Sequence, residues 1–324
     1  MIRTLAVIIT LALSVFLPGR QVNAQTHTGP VNYLDSILYD EEDGRLSFPS
    51  FVYAETVRDE IYVIDGKSRI IIYTSDLFAL FTLDKRKGIE APQGLTLDTE
   101  GRLYVAQAKS VNNPRPRISV FNACLNWKRD IYIKGFEGSD SFVPFRLAID
   151  KNRNIYVAAT YFPGVLVLDE KGGLTEIISP EENGRKVKLT SVTLDREGKI
   201  YLVSEEEGRV YVYDKDRKFL FKFGVKGGSS AKLSRPLAVG IDNRNGLMYV
   251  VDYMRHTVNI YDRGGEYLAE FGGLGWGKGW FQYPRDISVD RKGRILVADT
   301  FNNRVEVYEL RQRPMDKDEG PTKE

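Results

Sequence analysis

The side chains that most often carry catalysis are scarce in this sequence. Only two histidines are present, His27 and His256, and Cys124 is the single cysteine. Catalytic zinc needs about three protein ligands, which these two histidines cannot supply together. A Ser-His-Asp arrangement would have to use His256, which has no nucleophile elbow beside it. We expect Cys124, near a strand end, to be a small buried apolar residue without a disulfide partner.

The N-terminal segment differs from the rest of the chain. Arg3 precedes an apolar run over residues 5–17, and Val22 and Ala24 place small residues at positions −3 and −1 of a cleavage site. This pattern predicts a signal peptide over residues 1–24 and export to the periplasm or the extracellular space. The apolar run is shorter than the ~20 residues of a spanning helix. We therefore expect no membrane span after cleavage.

The charge balance bears on the class of partner. The chain has 46 Lys and Arg against 44 Asp and Glu, and removal of the signal peptide takes away Arg3 and Arg20. The mature chain then carries no net charge. Proteins that bind nucleic acid usually have a basic excess, so we expect no nucleic-acid partner.

One sequence motif, which we call the phrase, recurs along the chain at intervals of ~47 residues. It consists of an alternating apolar stretch that ends in an acid, a turn, and an apolar strand with Tyr or Leu at its second position. The terminal acids are Glu55, Asp98, Asp150, Asp195, Asp242 and Asp290, and the strand positions are Tyr62, Tyr104, Tyr156, Tyr201, Tyr249 and Leu296. The first five copies each continue with two more short strands joined by Gly-containing turns. Four antiparallel strands per repeat predict a propeller blade, and six copies predict six blades.

The last copy carries a family resemblance. Residues 284–308 contain Pro284, an Ile-Ser-Val-Asp stretch ending at Asp290, and the run Ala-Asp-Thr-Phe-Asn-Asn-Arg over residues 298–304. This segment resembles an NHL repeat, and the fifth copy is similar. The resemblance covers residues 45–310 and implies a six-bladed propeller of the all-β class.

The ring needs a closing strand, because the sixth copy supplies only three. Residues 33–39 are expected to complete the last blade, which would tie the ring shut and remove a sheet edge. The predicted domains are the signal peptide, a propeller over residues 25–310, and a disordered charged tail over residues 311–324.

We expect the functional residues to lie on one rim of the central channel, where the loops lead into the innermost strands. The third position of each phrase should lie there, and these positions hold Phe51, Gly94, Arg146, Ser191, Ala238 and Asp286. Six-bladed calcium lactonases and esterases need several converging carboxylates, whereas this ring offers one acid and Arg146 would repel a cation. Zinc-dependent amidating lyases, which are similar to NHL-repeat proteins, use several histidine ligands, whereas this chain has only His27 and His256. We expect no cofactor, with a structural or axial Ca²⁺ left open.

Recognition is the favoured role. We expect a solvent-exposed polar and aromatic rim that binds a protein or peptide, or a small anion; its candidate residues are Phe51, Gln93, Phe145, Arg146, Ser191, Arg285 and Asp286. A second candidate surface comprises Trp276 and Trp280 on a Gly-rich connection, with Arg115 and Arg117 on a long loop. The hypothesis is a monomeric exported binding or scaffolding module. The alternative is a metal-assisted hydrolase or lyase with a non-standard site.

Overall fold

The computed structural model describes residues 29–311 and contains 26 short strands in that part of the chain. In chain order they are β1 (Val31–Ile37), β2 (Phe51–Glu55), β3 (Glu60–Asp65), β4 (Arg69–Thr74), β5 (Ala79–Leu83), β6 (Pro92–Leu97), β7 (Leu103–Gln107), β8 (Arg117–Phe121), β9 (Trp127–Ile131), β10 (Arg146–Ile149), β11 (Ile155–Ala158), β12 (Val165–Leu168), β13 (Leu174–Ile178), β14 (Glu181–Glu182), β15 (Arg185–Lys186), β16 (Ser191–Leu194), β17 (Ile200–Ser204), β18 (Arg209–Tyr213), β19 (Phe219–Phe223), β20 (Pro236–Ile241), β21 (Met248–Asp252), β22 (Thr257–Tyr261), β23 (Tyr267–Gly272), β24 (Pro284–Val289), β25 (Ile295–Asp299) and β26 (Arg304–Leu310). Three 3₁₀ turns cover Lys85–Lys87, Ser139–Ser141 and Thr300–Asn302.

The strands form six antiparallel sheets of four, which are the six blades of a propeller. Blades 1 and 2 consist of β2–β5 and β6–β9, blade 3 of β10–β13, and blades 4 and 5 of β16–β19 and β20–β23. Blade 6 consists of β24, β25, β26 and β1, and the short β14–β15 hairpin lies between blades 3 and 4. The predicted fold class is confirmed.

The ring closes as predicted, with a small shift in bounds. β1 pairs antiparallel with β26, so that Val31 lies opposite Leu310 and Ile37 opposite Val305. The closing strand therefore begins two residues before the predicted segment. The N–H of Arg311 donates to the carbonyl of Pro30 at 2.9 Å and extends the pairing. The predicted signal peptide, residues 1–24, and all of the predicted tail except Arg311 lie outside the described residues.

The hydrophobic core lies in the seams between neighbouring blades. Six buried clusters are present in residues 29–311, and each combines side chains of two adjacent blades. The second and third strands contact neighbours on both faces and are almost wholly apolar and buried, as in Val165–Leu168. The outermost strands are more exposed, because they have no neighbouring strand on their outer side; in Phe219–Phe223 only Phe223 is buried.

The recurring phrase has the same register in every blade. Its fifth position lies opposite the Tyr or Leu of the second strand, and its third position lies opposite the residue two places further on. The predicted register of the innermost strands is thus confirmed in all six blades.

The acid that ends each phrase holds the turn after it. In blade 4, Asp195 Oδ1 accepts from the N–H of Glu197 at 2.9 Å and from the N–H of Lys199 at 2.8 Å. Gly198 then takes the left-handed φ of 89° that closes the turn. Equivalent bonds follow Glu55, Asp98, Asp150, Asp242 and Asp290. The turn-bracing role predicted for these acids is confirmed.

The expectation for Cys124 is wrong. The cysteine lies in the turn between β8 and β9 and is exposed. Its backbone N–H donates to the side chain of Asn122 at 3.1 Å. The turn is braced by Asn122, so the position after Ala123 faces solvent rather than the blade seam.

Candidate functional site

The two faces of the ring follow from the direction of the strands. Each innermost strand begins on the face that receives the connections between blades and between the second and third strands; we call this the entry face. Each innermost strand ends at a short turn on the opposite face, which we call the turn face. Entry-face connections include residues 38–50 and 132–145, whereas turn-face connections are as short as residues 56–59.

An axial cavity of about 670 Å³ lies between the innermost strands, and all six blades contribute to its lining. Its walls are mixed, with apolar side chains such as Val192 and Ile287 beside the hydroxyls of Thr96, Thr193 and Ser288. This volume falls in the ~300–1,000 Å³ range of small-molecule sites.

The entry end of this cavity is closed by Arg146. The Arg146 side chain is only 5% exposed. Its guanidinium, which belongs to blade 3, donates to the carbonyl of Ser50 at 3.0 Å, just before β2. It also donates to the carbonyl of Gln93, which lies in β6. Its Cζ lies 4.8 Å from the ring centroid of Phe51 and 4.2 Å from that of Phe145. Burial lowers the pKa of Arg146, while nearby Asp286 acts in the opposite direction.

Asp286 lies at the same end and is also buried. Its Oδ2 accepts from the N–H of Val52 at 3.1 Å, which links blade 6 to blade 1. Burial raises the pKa of this carboxyl to about 6, although the positive charge of Arg146 opposes the shift. The closed end therefore holds an acid that titrates in the mildly acidic range.

The expectation of a solvent-exposed rim is wrong for most of its predicted residues. Phe51, Arg146, Ser191 and Asp286 are brought together at the cavity's entry end, but all four are buried. Gln93 and Phe145 are partly buried, with the Gln93 amide donating to the Ala91 carbonyl at 3.2 Å. Of the predicted charged members, only Arg285 is exposed. Arg146 is buried because it bridges carbonyls of two other blades.

The second predicted surface is divided. Trp276 is 76% exposed, whereas Trp280 is partly buried over the backbone of Gly273 and Gly275. Arg115 is exposed, with its Cζ 4.6 Å from the Tyr132 ring centroid. The placement of Arg117 on an exposed loop is wrong.

Arg117 is the first residue of β8 and is 2% exposed. Its Nε lies 3.6 Å from a carboxylate oxygen of Asp130 on the neighbouring strand β9.

The sequence reasoning missed a row of aromatic rings on the entry face. Phe48 contacts Phe301, with ring centroids 5.5 Å apart, and Phe301 contacts Tyr283 at 5.2 Å. Tyr283 in turn contacts Tyr253 at 5.0 Å. We call Phe48, Phe301, Tyr283 and Tyr253 the aromatic row. Its rings come from four separate entry-face connections, so no local spacing in the sequence indicates it.

Arg285 stands at one end of this row. Its Cζ lies 5.7 Å from the ring centroid of Tyr253. Phe48 and Phe301 at the other end are 48% and 43% exposed. The arrangement offers an aromatic strip that is exposed at Phe48 and Phe301 and half-buried at Tyr283 and Tyr253, with a guanidinium at its end. Such a strip suits a ligand with an apolar side chain and an acidic group.

His256 has a structural environment beside this row. Its Nδ1 accepts from the N–H of Tyr283 at 2.9 Å, and its ring lies edge-on to Tyr283 at 4.5 Å. Burial lowers the pKa of His256. Within residues 29–311 no group of three or more His, Cys, Asp or Glu side chains is arranged to hold a metal ion. No helix in that part of the chain is long and apolar enough to cross a membrane.

Comparison with known proteins bears on the architecture. The NHL repeat family model matches residues 281–308, and no curated protein matches the sequence significantly. Similar solved structures include a protein of unknown function from Bacteroides thetaiotaomicron VPI-5482, at 16% identity and a TM-score of 0.64 over 86% of this chain and 75% of that one. An auxiliary nutrient binding protein from the same organism is 12% identical, with a TM-score of 0.63 over 86% and 76%.

A streptogramin B lyase is 10% identical, with a TM-score of 0.58 over 87% of this chain and 98% of that one. At these identities the likeness concerns the fold alone. The matched repeat covers the end of the connection before blade 6 and its strands β24, β25 and most of β26, without the closing strand β1. The chain is therefore a six-bladed β-propeller that carries an NHL repeat in its last blade.

Proposed function

We propose that this protein is an exported binding module that holds a protein or peptide segment on its entry face. The aromatic row with Arg285 at its end is the observation that carries the proposal. Exposed aromatic rings supply large contact area at low entropic cost, and arginine supplies directional bonds to a carboxylate. The ligand class is an extended segment with at least one apolar side chain and one acidic group.

The distribution of exposed apolar side chains supports this face over the other. Within residues 29–311, eleven large apolar side chains are exposed on entry-face connections and only two, Val57 and Phe78, on turn-face connections. The eleven are Tyr39, Phe48, Val111, Tyr132, Val143, Tyr161, Val225, Met254, Leu274, Trp276 and Phe301. Concentration of apolar surface on one face is typical of an interaction site.

Two further points accord with a binding role outside the cytoplasm. The N-terminal pattern that predicts a signal peptide supports export. One of the solved propellers of similar fold is described as an auxiliary nutrient binding protein. A monomer that presents one recognition face would serve as a receptor or as a scaffold in the cell envelope.

The test is selection of peptides from a displayed random library, followed by affinity measurement on variants. We expect the selected peptides to be rich in aromatic and acidic residues. Phe301→Ala and Arg285→Ala should each weaken binding about tenfold or more, because central aromatic and arginine contacts carry ~1–2 kcal/mol or more.

The matched control is Phe78→Ala, an exposed Phe on the turn face, which should leave the affinity unchanged. Equal binding by Phe301→Ala, Arg285→Ala and wild type would contradict the proposal, provided that all variants keep the wild-type melting temperature.

A further inference from the structure

The axial cavity has a mouth on the turn face that is lined by cationic side chains, and the proposed entry-face surface does not include it. The residue that follows each phrase acid stands where an innermost strand ends. These six positions hold Thr56, Thr99, Lys151, Arg196, Asn243 and Arg291. None of them is acidic, and Lys151, Arg196 and Arg291 all line the cavity and are exposed. We call these three residues the cationic rim.

The carboxylates near this mouth are engaged elsewhere. Asp150 and Asp195 accept backbone N–H bonds within their own turns. Asp290 pairs with Arg294 at 2.7 Å, and Asp242 pairs with Arg244 at 2.8 Å.

The outer acids are also paired. Glu197 pairs with Lys199 at 3.0 Å, and Glu100 pairs with Arg153. Arg291 approaches Asp59 at 3.6 Å, whereas neither Lys151 nor Arg196 has an ion-pair partner among residues 29–311. Two cations of the rim are thus available to a ligand.

The other end of the cavity supplies a polar terminus. Arg146 and Asp286 close it, and Arg146 Nε is a buried donor with no hydrogen-bond partner in the described part of the chain. A buried donor without a partner costs free energy, which a ligand acceptor can recover. Between the two ends the wall combines apolar side chains with the hydroxyls of Tyr53, Thr96, Thr193 and Ser288.

We propose that the axial cavity is a binding site, entered from the turn face, for an amphipathic organic anion. Its carboxylate, sulfonate or phosphate lies at the cationic rim, near Lys151 and Arg196. Its apolar or aromatic body fills the cavity, and a polar atom at its far end accepts a hydrogen bond from Arg146 Nε. This site is separate from the entry-face surface, so either assignment can fail without the other.

The probe for this site is 8-anilinonaphthalene-1-sulfonate, which joins a sulfonate to an aromatic body, and its fluorescence reports binding. Its uncharged analogue N-phenyl-1-naphthylamine has nearly the same body without the sulfonate. Lys151→Gln and Arg196→Gln should each weaken binding of the sulfonate by about tenfold, because charge-assisted bonds are lost. Neither change should alter the affinity for the uncharged analogue by more than about twofold.

Three further variants locate the site. Lys171→Gln removes an exposed charge from a turn-face residue outside the cavity lining, and it should leave both affinities unchanged. Thr193→Met extends a side chain of the cavity lining, and it should weaken both probes. Phe301→Ala removes a ring of the aromatic row and should affect neither probe. Melting temperatures confirm that each variant is folded.

Three results would overturn the proposal. One is that wild type does not bind the sulfonate probe saturably. Another is that Lys151→Gln and Arg196→Gln bind it as tightly as Lys171→Gln does. Third, if Phe301→Ala alone lowers the affinity, the probe binds the aromatic row and the axial site is refuted.

Discussion

The entry face and the turn face are built from the same six blades, yet they differ in nearly every physical respect. On the turn face, at least one acid per blade binds the backbone N–H groups of a short turn, and charged side chains surround the axis. On the entry face the connections vary in length, and aromatic rings from separate connections contact one another at the surface. Repetition therefore maintains the scaffold on one face, while variation on the other provides a surface for recognition.

The largest effect is expected from Arg146, the side chain that closes the entry end of the channel. Arg146→Met should lower the free energy of unfolding by ~3–5 kcal/mol. It removes the donors to the Ser50 and Gln93 carbonyls and leaves Asp286 buried without its nearest positive charge. Chemical denaturation would measure the loss. A loss below ~1 kcal/mol would mean that Arg146 is held for binding rather than for stability.

A smaller loss is expected when a turn-face acid is removed. Asp98 accepts the N–H groups of Glu100 and Arg102, each at 2.9 Å, and pairs with the Arg102 guanidinium at 2.6 Å. Asp98→Ala should therefore cost ~2–3 kcal/mol of stability.

The matched entry-face change is Tyr161→Ala, at a side chain that is 86% exposed. It should stay within ~0.5 kcal/mol of wild type. Equal losses at Asp98 and Tyr161 would remove the distinction between a structural face and a recognition face.

The pH dependence of stability should change when Asp286 is neutralised. Its folded pKa of about 6 lies above the ~3.9 of an unfolded aspartate, so the folded state binds the proton more tightly. The free energy of unfolding should therefore fall as the pH rises from about 4 to about 6, by ~2–3 kcal/mol for this group. Asp286→Asn should flatten that part of the profile, while the exposed Asp76→Asn should not. An unchanged slope in Asp286→Asn would show that the carboxylate is not desolvated.

The features predictable from the sequence are those that occur six times. The blade count, the register of the innermost strands and the turn-bracing acids each rest on six copies, so one diverged copy does not mislead. The closing strand was predictable because the C-terminal repeat supplies only three of the four strands that a blade needs. Its bounds shifted by two residues because Val31 and Ile37 pack into blade seams, which a single strand pattern does not reveal.

The candidate site was harder to predict because its members are not repeated. The third-position register correctly gathers Arg146 and Asp286, but the rotation of Arg146 toward carbonyls of two other blades depends on where those carbonyls lie in space. The aromatic row depends in the same way on four connections that only the closed ring brings together. Arg285 was identified because it neighbours a register position. Phe48 and Phe301 carry no such signal.

The most direct test of the difference between the faces is hydrogen–deuterium exchange with and without a selected peptide bound. We expect slower exchange at residues 46–50, 253–256, 282–285 and 300–303, which contain or flank the aromatic row. Exchange in the turn-face connections at residues 150–154 and 195–199 should be unchanged. Slowed exchange confined to those turns would contradict the claim that the entry face is the recognition face.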